Sequence, residues 1–380
     1  MPNLSLWEKD SFLSPKDVVI AGSGFVGLWS AYYLKKKYPE LSVTIIERGI
    51  FPTGASSRNA GFACFGSLTE LVADSASMGV EKMLQLASSR YRGIQRIQQL
   101  VNKKSIDFSL CGGYEIITDK SNLQPAELLE KIDWINQLLS PLFKTTNVFS
   151  LADKKISSFG LGKVNHLISN KLEGYLHPGK LSQALLMKVQ SMGVSVITGT
   201  DVTGYTRQSN GLTVHTNQDF DLRAGKLLVC TNAFARELLP ELEVTPARGQ
   251  VLVTSPIPGL KIKGTFHYEE GYVYFRNIGD RILIGGARNK AVKEETTAEM
   301  ITTPFIQGEL ESFLSNYLLP GISYEVTERW AGIMAMGQEK SPVVKAVSDR
   351  IFCAVRMSGM GVALAPIVGE EAADLVAPTF

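Results

Sequence analysis

A glycine-rich turn near the start of the chain has the spacing that dinucleotide chemistry requires. Gly22, Gly24 and Gly27 follow an apolar run at 17–21, and Glu47 comes about 20 residues later. The glycines permit a tight turn, a close backbone approach to pyrophosphate, and close packing of helix on strand. A helix starting here offers free N–H groups to phosphates, and Glu47 can accept hydrogen bonds from ribose hydroxyls. The spacing predicts a dinucleotide site and disfavours a 2′-phosphate, but it does not separate FAD from NAD.

The elements around this turn predict the fold class. Residues 17–21 and 41–47 are predicted to be parallel strands flanking a helix at 25–37, which makes one βαβ unit. From Pro246 onwards, short strands separated by turn residues replace this pattern. We therefore expect an α/β fold, α+β overall, with a discontinuous Rossmann-like nucleotide-binding domain and an inserted antiparallel-sheet substrate domain. The predicted nucleotide-binding domain comprises 1–90, 150–245 and 335–380, and the substrate domain comprises 91–149 and 246–334.

Individual elements can be predicted between these landmarks. A polar helical region extends from 68 to 102, and another helix is expected at 303–316. The sequence also predicts a hairpin that pairs 212–216 with 220–222, followed by a separate buried strand at 226–230.

Composition excludes several classes of protein. The chain has 380 residues, 44% of them hydrophobic and 20% charged, and a net charge of +2, which gives no indication of a nucleic-acid partner. The four cysteines are scattered without a CxxC motif or a histidine cluster, so no metal site is predicted. No basic-then-apolar leader precedes the first strand, and no apolar run approaches the ~20 residues of a membrane span. We expect a cytoplasmic protein without an integral membrane segment; its oligomeric state is left open.

Several further segments resemble those of a known protein family, and this resemblance distinguishes FAD from NAD. GASSRNAGF at 54–62, HPGKL at 177–181, LLVCTNAFA at 227–235 and SGMGVALAPIVGEEAADLV at 358–376 occur in this order. Together with PARGQVLVTSP, GYVYFRN and ILIGGARN, they resemble the FAD-dependent D-amino-acid oxidase and glycine oxidase-like (DAO) family. The resemblance is greatest to amine oxidoreductases of the γ-glutamylputrescine oxidase type. It covers nearly the whole chain and implies FAD as the cofactor.

The resemblance also implies which residues hold FAD. The loop at 56–61 would line the pyrophosphate and isoalloxazine side, Val202 would meet the adenine through its backbone, and 359–362 would bring N–H groups to the pyrimidine carbonyl. The full set of expected cofactor-binding residues is Gly22, Gly24, Phe25, Val26, Gly27, Glu47, Arg48, Ser56, Ser57, Arg58, Asn59, Ala60, Gly61, Val202, Thr231, Asn232, Gly359, Met360, Gly361 and Val362.

Candidate substrate contacts lie on the antiparallel strands. Tyr272 and Tyr274 alternate along one predicted strand and share a face, and His267 lies just upstream. Arg276 follows, and its guanidinium could bind a substrate carboxylate bidentately. Sheet packing for the tyrosines and a surface ion pair for Arg276 are the alternative interpretations.

Departures from the family pattern bear on how the flavin is attached and how the substrate is held. Met334 stands where the glycine-oxidase-like pattern has the arginine that holds the substrate carboxylate. Met336 lies near the position at which sarcosine oxidases have the cysteine that attaches flavin covalently. Met360 stands where many members of the family have the histidine of a Gly-His-Gly sequence. The resemblance therefore implies non-covalent FAD and oxidation of an amine or amino acid C–N bond by hydride transfer to flavin N5, which gives an imine and then a carbonyl product. Oxygen or another acceptor would take the electrons.

Two alternatives remain at this point. One is FAD-dependent oxidation of a hydroxy acid or alcohol with His267 as the base, since alcohol oxidation usually needs a base near the hydroxyl. The other is a protein that binds flavin but has little catalytic activity, because a shared fold does not imply a shared function.

Overall fold

The protein is described by a computed structural model over residues 4–121 and 123–377. The outermost ends of the predicted nucleotide-binding domain, 1–3 and 378–380, lie outside these residues. The helices are α1 Leu6–Ser11, α2 Phe25–Lys37, α3 Ala55–Arg58, α4 Leu68–Met78, α5 Val80–Leu100, α6 Pro125–Phe143, α7 Lys154–Phe159, α8 Pro178–Ser191, α9 Pro304–Phe313 and α10 Gly361–Val376.

The strands belong to two large sheets and one short pair. In chain order they are β1 Lys16–Ala21, β2 Val43–Glu47, β3 Phe62–Ala63, β4 Gly113–Ile117, β5 Phe149–Leu151, β6 His166–Asn170, β7 Gly174–Tyr175, β8 Ser195–Thr198, β9 Val202–Gln208, β10 Gly211–Thr216, β11 Leu222–Val229, β12 Thr245–Thr254, β13 Thr265–Tyr268, β14 Val273–Ile278, β15 Arg281–Gly286, β16 Val326–Met336, β17 Val343–Ala346 and β18 Ile351–Val355.

The first sheet has a parallel centre. Its order is β17-β18-β11-β1-β2-β8, with β9 and β10 extending from β11, and the strands from β18 to β8 run parallel. Val18 and Ile20 of β1 pack into the core that contains α2 and α10, while Val19 and Ala21 pack into the core on the other face. A strand that buries both faces is typical of a sheet covered by helices on both sides. The Rossmann-like α/β prediction is confirmed.

The second sheet is mostly antiparallel. Its order is β16-β12-β15-β14-β13-β4-β6-β5, and only β13 and β4 pair in parallel within it. Strand β6 and the last two residues of β5 fall inside the segment 150–245 that was assigned to the nucleotide-binding domain, yet both strands are hydrogen-bonded to this sheet. The domain boundaries themselves stay a prediction.

Three local predictions need correction. Residues 222–229 form one continuous strand instead of a hairpin arm and a separate strand, because Gly225 allows close contact with β1: a Cβ there would lie 2.9 Å from the Asp17 carbonyl oxygen. The helical region 68–102 divides into α4 and α5 at Gly79. Gly79 has a φ of +87°, and a right-handed helix cannot continue through a residue with that backbone angle. The helix expected at 303–316 ends at Phe313 and is followed by a π-helical turn, Leu314–Leu318. Within the described ranges, no helix has both the length and the apolar character that crossing a bilayer requires.

Candidate functional site

The glycine turn between β1 and α2 is built as its spacing predicts. Gly22 has φ +101°, and a Cβ there would lie 3.0 Å from the carbonyl oxygen of Cys230, the residue that follows β11. A Cβ on Gly27 would lie 2.0 Å from the Gly22 carbonyl oxygen, which no side chain could tolerate without moving the backbone. Helix and strand therefore pack closely, and the N-terminus of α2 points across the end of the sheet.

Glu47 is fixed at the end of β2. Its Oε2 accepts hydrogen bonds from the Ser23 N–H at 2.9 Å and the Ser23 hydroxyl at 2.7 Å, and its Oε1 accepts from the Gly49 N–H at 3.0 Å. The neighbouring Arg48 stacks over the Phe234 ring at 3.9 Å. The carboxylate is buried and its position is set before any ligand binds.

The loop after β2 is held by its own side chains. The Ser56 hydroxyl accepts a hydrogen bond from the Phe25 N–H at 2.8 Å, which fastens this loop to the start of α2. Asn59 Nδ2 donates to the Ala55 and Ser56 carbonyls at 3.0 and 2.8 Å, and its Oδ1 accepts from the Gly61 N–H at 2.8 Å. These bonds preorganise the loop conformation.

Two further side chains join this loop to its surroundings. The Ser57 hydroxyl donates to the Pro52 carbonyl at 2.6 Å. Arg58 Nε donates to the Thr53 carbonyl at 2.9 Å, and its Nη1 donates to the Ala331 carbonyl on β16 at 3.0 Å. Arg58 thus connects the first half of the site to the second sheet.

One cavity of about 570 Å³ runs between the two sheets. Gly27 and Ser57 support its wall from behind without lining it, whereas the other expected cofactor residues line it. These are Gly22, Gly24, Phe25, Val26, Glu47, Arg48, Ser56, Arg58, Asn59, Ala60, Gly61, Val202, Thr231, Asn232, Gly359, Met360, Gly361 and Val362.

The cavity wall has the chemistry that a dinucleotide needs. The hydroxyls of Thr231 and Ser358 line it, are buried, and have no hydrogen-bond partner in the described structure. The N-terminal turns of α2 and α10 both open into it, so their free N–H groups are available to an anion or a carbonyl. The residues present fit FAD, and the buried Glu47 carboxylate lines the same cavity.

The opposite wall is formed by the second sheet and carries His267. Its Nε2 lies 3.0 Å from the Glu173 Oε2, and its ring contacts Phe62 edge-to-face at 5.3 Å between centroids. Burial has the largest single effect and lowers the pKa of His267, but the hydrogen-bonded carboxylate of Glu173 together with Glu115 and Glu70 more than offsets it and raises that pKa above its ordinary value. These carboxylates stabilise the protonated ring.

The tyrosines lie on the same wall. Tyr274 packs against Gly285, where a Cβ would lie 2.8 Å from the phenol oxygen, and burial raises the pKa of Tyr274 to about 12. Tyr272 precedes β14 and is 40% exposed at the cavity surface. The Tyr274 phenol is therefore a neutral hydrogen-bonding group at ordinary pH.

Arg276 lies outside the cavity. Its Nε donates to the Ala60 carbonyl at 2.6 Å, its Nη2 to the Leu176 carbonyl at 3.4 Å, and its guanidinium lies over the Tyr175 ring. Burial lowers the pKa of Arg276 to about 10. The expectation that it binds a substrate carboxylate finds no support in this geometry, because β14 turns this side chain toward the loop at 60–61.

Sequence reasoning missed a charged cluster that α4 brings to the cavity. Arg90 Nη1 lies 3.1 Å from Glu70 Oε1, and Lys340 Nζ lies 2.5 Å from Asp74 Oδ1. Although burial opposes it, Arg90 and Lys340 lower the pKa of Glu70, whereas burial raises the pKa of Asp74. Only the charges within a polar helical region could have indicated this cluster, and such charges usually face solvent.

A group with metal-ligating side chains also forms. The ligand atoms of Cys64, Glu173 and His267 all lie within 4.8 Å of one another, and all three residues are buried. Burial raises the pKa of the Cys64 thiol well above its ordinary value, and His267 is paired with Glu173. The cluster is thus accounted for as a buried thiol beside a hydrogen-bonded histidine–carboxylate pair, and the sequence prediction of no metal site stays a prediction.

Comparisons with known proteins agree with this geometry. A profile described as FAD dependent oxidoreductase (DAO) matches residues 17–375. The chain is 22% identical to hydrogen cyanide synthase subunit HcnC of Pseudomonas aeruginosa, over 88% of this chain and 85% of that protein. It is 24% identical to the bifunctional protein ThiO/ThiG of Synechocystis sp., over 95% of this chain but only 51% of that longer protein.

Solved structures share the fold. Glycine oxidase from Geobacillus kaustophilus superimposes with a TM-score of 0.76 at 21% identity, covering 96% of this chain and 95% of that one. L-proline dehydrogenase from P. horikoshii gives a TM-score of 0.75 at 19% identity, covering 96% and 94%. At these identities the likeness supports the architecture and leaves the substrate open.

Proposed function

Because the chain belongs to the FAD dependent oxidoreductase family, whose profile matches residues 17–375, we propose that it oxidises the C–N bond of an amine or amino acid. The observation that carries the proposal is that the same cavity is lined by the glycine turn and Glu47 on one side and by His267 and Tyr274 on the other. Relatives named glycine oxidase and L-proline dehydrogenase act, by their names, on amino acids. Their chemistry suits a cavity with this lining.

The chain's residues would bind and orient the cofactor without covalent attachment. Glu47 would bind the ribose hydroxyls, the start of α2 would face the pyrophosphate, and Arg58 would place a positive charge beside the loop. Met336 lines the cavity and has no thiol to bond with a flavin. When bound, FAD supplies the acceptor for a hydride from the substrate carbon.

On the substrate side, the protein positions the amine and excludes water. The C–H bond breaks with its electron pair, the nitrogen lone pair forms the C=N bond, and water then adds to give a carbonyl compound and ammonia or a smaller amine. An amine that arrives deprotonated needs no enzymic base, so the absence of a nucleophile–base pair in the sequence is no objection. Helix α4 covers this end of the cavity with Ala73, Asp74 and Ser77, which supports positioning and desolvation as the main contributions.

Oxidation of an alcohol or hydroxy acid is the less favoured alternative. That reaction usually needs a base at the hydroxyl, and His267 is the side chain on this wall that was expected to serve. The Nε2 of that ring lies 3.0 Å from the Glu173 carboxylate, so only Nδ1 could accept a proton from a hydroxyl. The relatives named for amino acids favour the amine reaction.

Anaerobic absorbance of the purified holoenzyme tests the proposal. Primary and secondary amines, D-amino acids and L-amino acids are added in turn, with the corresponding hydroxy acids as a matched panel. Bleaching of the oxidised-flavin band by an amine class, and not by its hydroxy analogue, is the expected result. Fast recovery on readmitting air would identify an oxidase, and slow recovery a dehydrogenase with another acceptor. A yellow protein that no amine bleaches would contradict the proposal.

A further inference from the structure

We propose that Glu70 and Asp74 of α4 bind a second, positively charged nitrogen of the substrate, which makes the substrate a diamine or another amine with a remote cationic group. This inference deepens the proposed function and rests on it. Both side chains line the cavity, and the exposed fractions of the two residues are only 8% and 2%. They lie four residues apart on one helix and therefore share a face of it.

The cations of the protein approach one oxygen of each carboxylate. Glu70 Oε1 lies 3.1 Å from Arg90 Nη1 and 3.5 Å from Lys340 Nζ, and Asp74 Oδ1 lies 2.5 Å from Lys340 Nζ. The other oxygen of Asp74, Oδ2, is buried and finds no hydrogen-bond partner among the residues that the structure describes. A buried carboxylate oxygen without a donor is destabilised, so a donor on a ligand in the cavity would stabilise it.

The second oxygen of Glu70 faces the wall that carries His267. Gly271 lines the cavity, and a Cβ built on it would lie 3.8 Å from Glu70 Oε2 and 3.9 Å from His267 Nδ1. Helix α4 and the His267 wall thus meet at Gly271, and a ligand in this part of the cavity contacts both.

The chemistry of the two carboxylates selects a cation. Burial, and then the charge of Glu70, raise the pKa of Asp74, although Lys340 opposes both. A further cation beside the pair would relieve the remaining repulsion. An ammonium group has three N–H donors and no acceptor, which suits the oxygens of two carboxylates.

The nitrogen bound at α4 is distinct from the nitrogen that reacts. Hydride transfer requires a deprotonated amine, because the nitrogen lone pair forms the C=N bond. Two neighbouring carboxylates stabilise the protonated form of an amine instead. A substrate that uses both parts of the cavity therefore carries two nitrogens.

Anaerobic isothermal titration calorimetry of the FAD-loaded enzyme tests this inference. The flavin is first reduced photochemically, so that no hydride is transferred and only binding is measured. Butane-1,4-diamine and pentane-1,5-diamine are compared with pentylamine and hexylamine, in which a methyl group replaces the second ammonium. For wild type we expect a diamine to bind about ten-fold more tightly or better than its alkylamine, as a hydrogen bond between charged groups implies.

Variants assign the preference to the two carboxylates. Asp74→Asn and Glu70→Gln should each lower it by about ten-fold, while the affinity for the alkylamine and the FAD content stay at wild-type values. Lys340→Met should raise it, because Asp74 Oδ1 then becomes available to the ligand. Glu81→Gln, which removes a carboxylate at the start of α5 outside the cavity lining, is the control and should bind as wild type does.

Three results would overturn the inference. The first is wild-type enzyme that binds neither diamine more tightly than its alkylamine. The second is Asp74→Asn enzyme that keeps both its FAD content and the full preference. The third is binding of Mn²⁺ that Asp74→Asn abolishes, without any preference for diamines, which would indicate a metal site instead. Because the titration needs no turnover, a diamine preference in a protein whose flavin no amine bleaches would count against the proposed function alone.

Discussion

His267 and Glu173 form a buried pair in which the imidazole Nε2 lies 3.0 Å from the carboxylate Oε2. The pair joins β13 to the residue just before β7, two segments that are 94 residues apart in the chain. It places an imidazole on the cavity wall, and the Cys64 thiol lies beside it. The same pair gives the stability of the protein a defined dependence on pH.

Glu173→Gln should destabilise the protein most at low pH. The His267 pKa is raised in the folded state, so its protonated form contributes stability that is complete below about pH 6.5, the unfolded value. That contribution is lost as the pH rises through the folded pKa. The difference in melting temperature between wild type and Glu173→Gln should therefore be largest near pH 5.5 and shrink above neutrality. A difference that stays constant from pH 5.5 to 9 would show that the pair does not titrate as argued.

Gly27→Ala should damage the cofactor site through packing. The new Cβ would meet the Gly22 carbonyl oxygen at 2.0 Å and force α2 away from β1. We expect a loss of about 1–3 kcal/mol or more in stability and a lower FAD content per protein. Gly308→Ala, in α9 with no atom within 4 Å of its Cβ, is the matched control and should stabilise by about 1 kcal/mol. Equal flavin content in the two variants would contradict this account.

Glu47→Gln should weaken FAD binding. The carboxylate accepts three hydrogen bonds that fix its position. Glutamine has the same shape but no negative charge, so it would accept hydrogen bonds from ribose hydroxyls more weakly. Loss of one hydrogen bond to a charged group corresponds to about 1.5–3 kcal/mol, or roughly ten-fold to a hundred-fold in dissociation constant. Fluorescence titration of the apoprotein with FAD measures it. The exposed Glu40→Gln variant should bind as wild type does, and a Glu47→Gln variant equal to it would refute the ribose assignment.

Arg90→Met should destabilise the region around α4. Its guanidinium is buried, lies 3.1 Å from Glu70, and also donates to the Phe65 carbonyl at 3.1 Å. Removing one partner of a buried ion pair costs about 3–5 kcal/mol when the other charge is left uncompensated. Lys340 Nζ lies 3.5 Å from Glu70 Oε1 and compensates part of that charge, so we expect about 3 kcal/mol here. Chemical denaturation of Arg90→Met and of Arg92→Met, an exposed change on the same helix, should separate by that amount. Coincident unfolding curves would mean that Lys340 compensates Glu70 by itself.

Both sequence and structure identify the glycine turn, because its requirements are local. The spacing of Gly22, Gly24 and Gly27 reflects backbone contacts within one βαβ unit, and Glu47 ends the next strand of that unit. The positive φ of Gly22 and the short distance beside Gly27 are properties that only glycine can satisfy. The sequence by itself therefore determined the glycine turn and the fold class that carries it.

The composition of the opposite cavity wall was decided by the tertiary structure. Whether Arg276 reaches the cavity depends on which way its strand end turns and on the carbonyls that packing brings within reach. The pairing of His267 with Glu173 and of Arg90 with Glu70 likewise joins residues that are far apart in the sequence. Side-chain direction and long-range contacts follow from the assembled sheets, whose geometry no local spacing encodes.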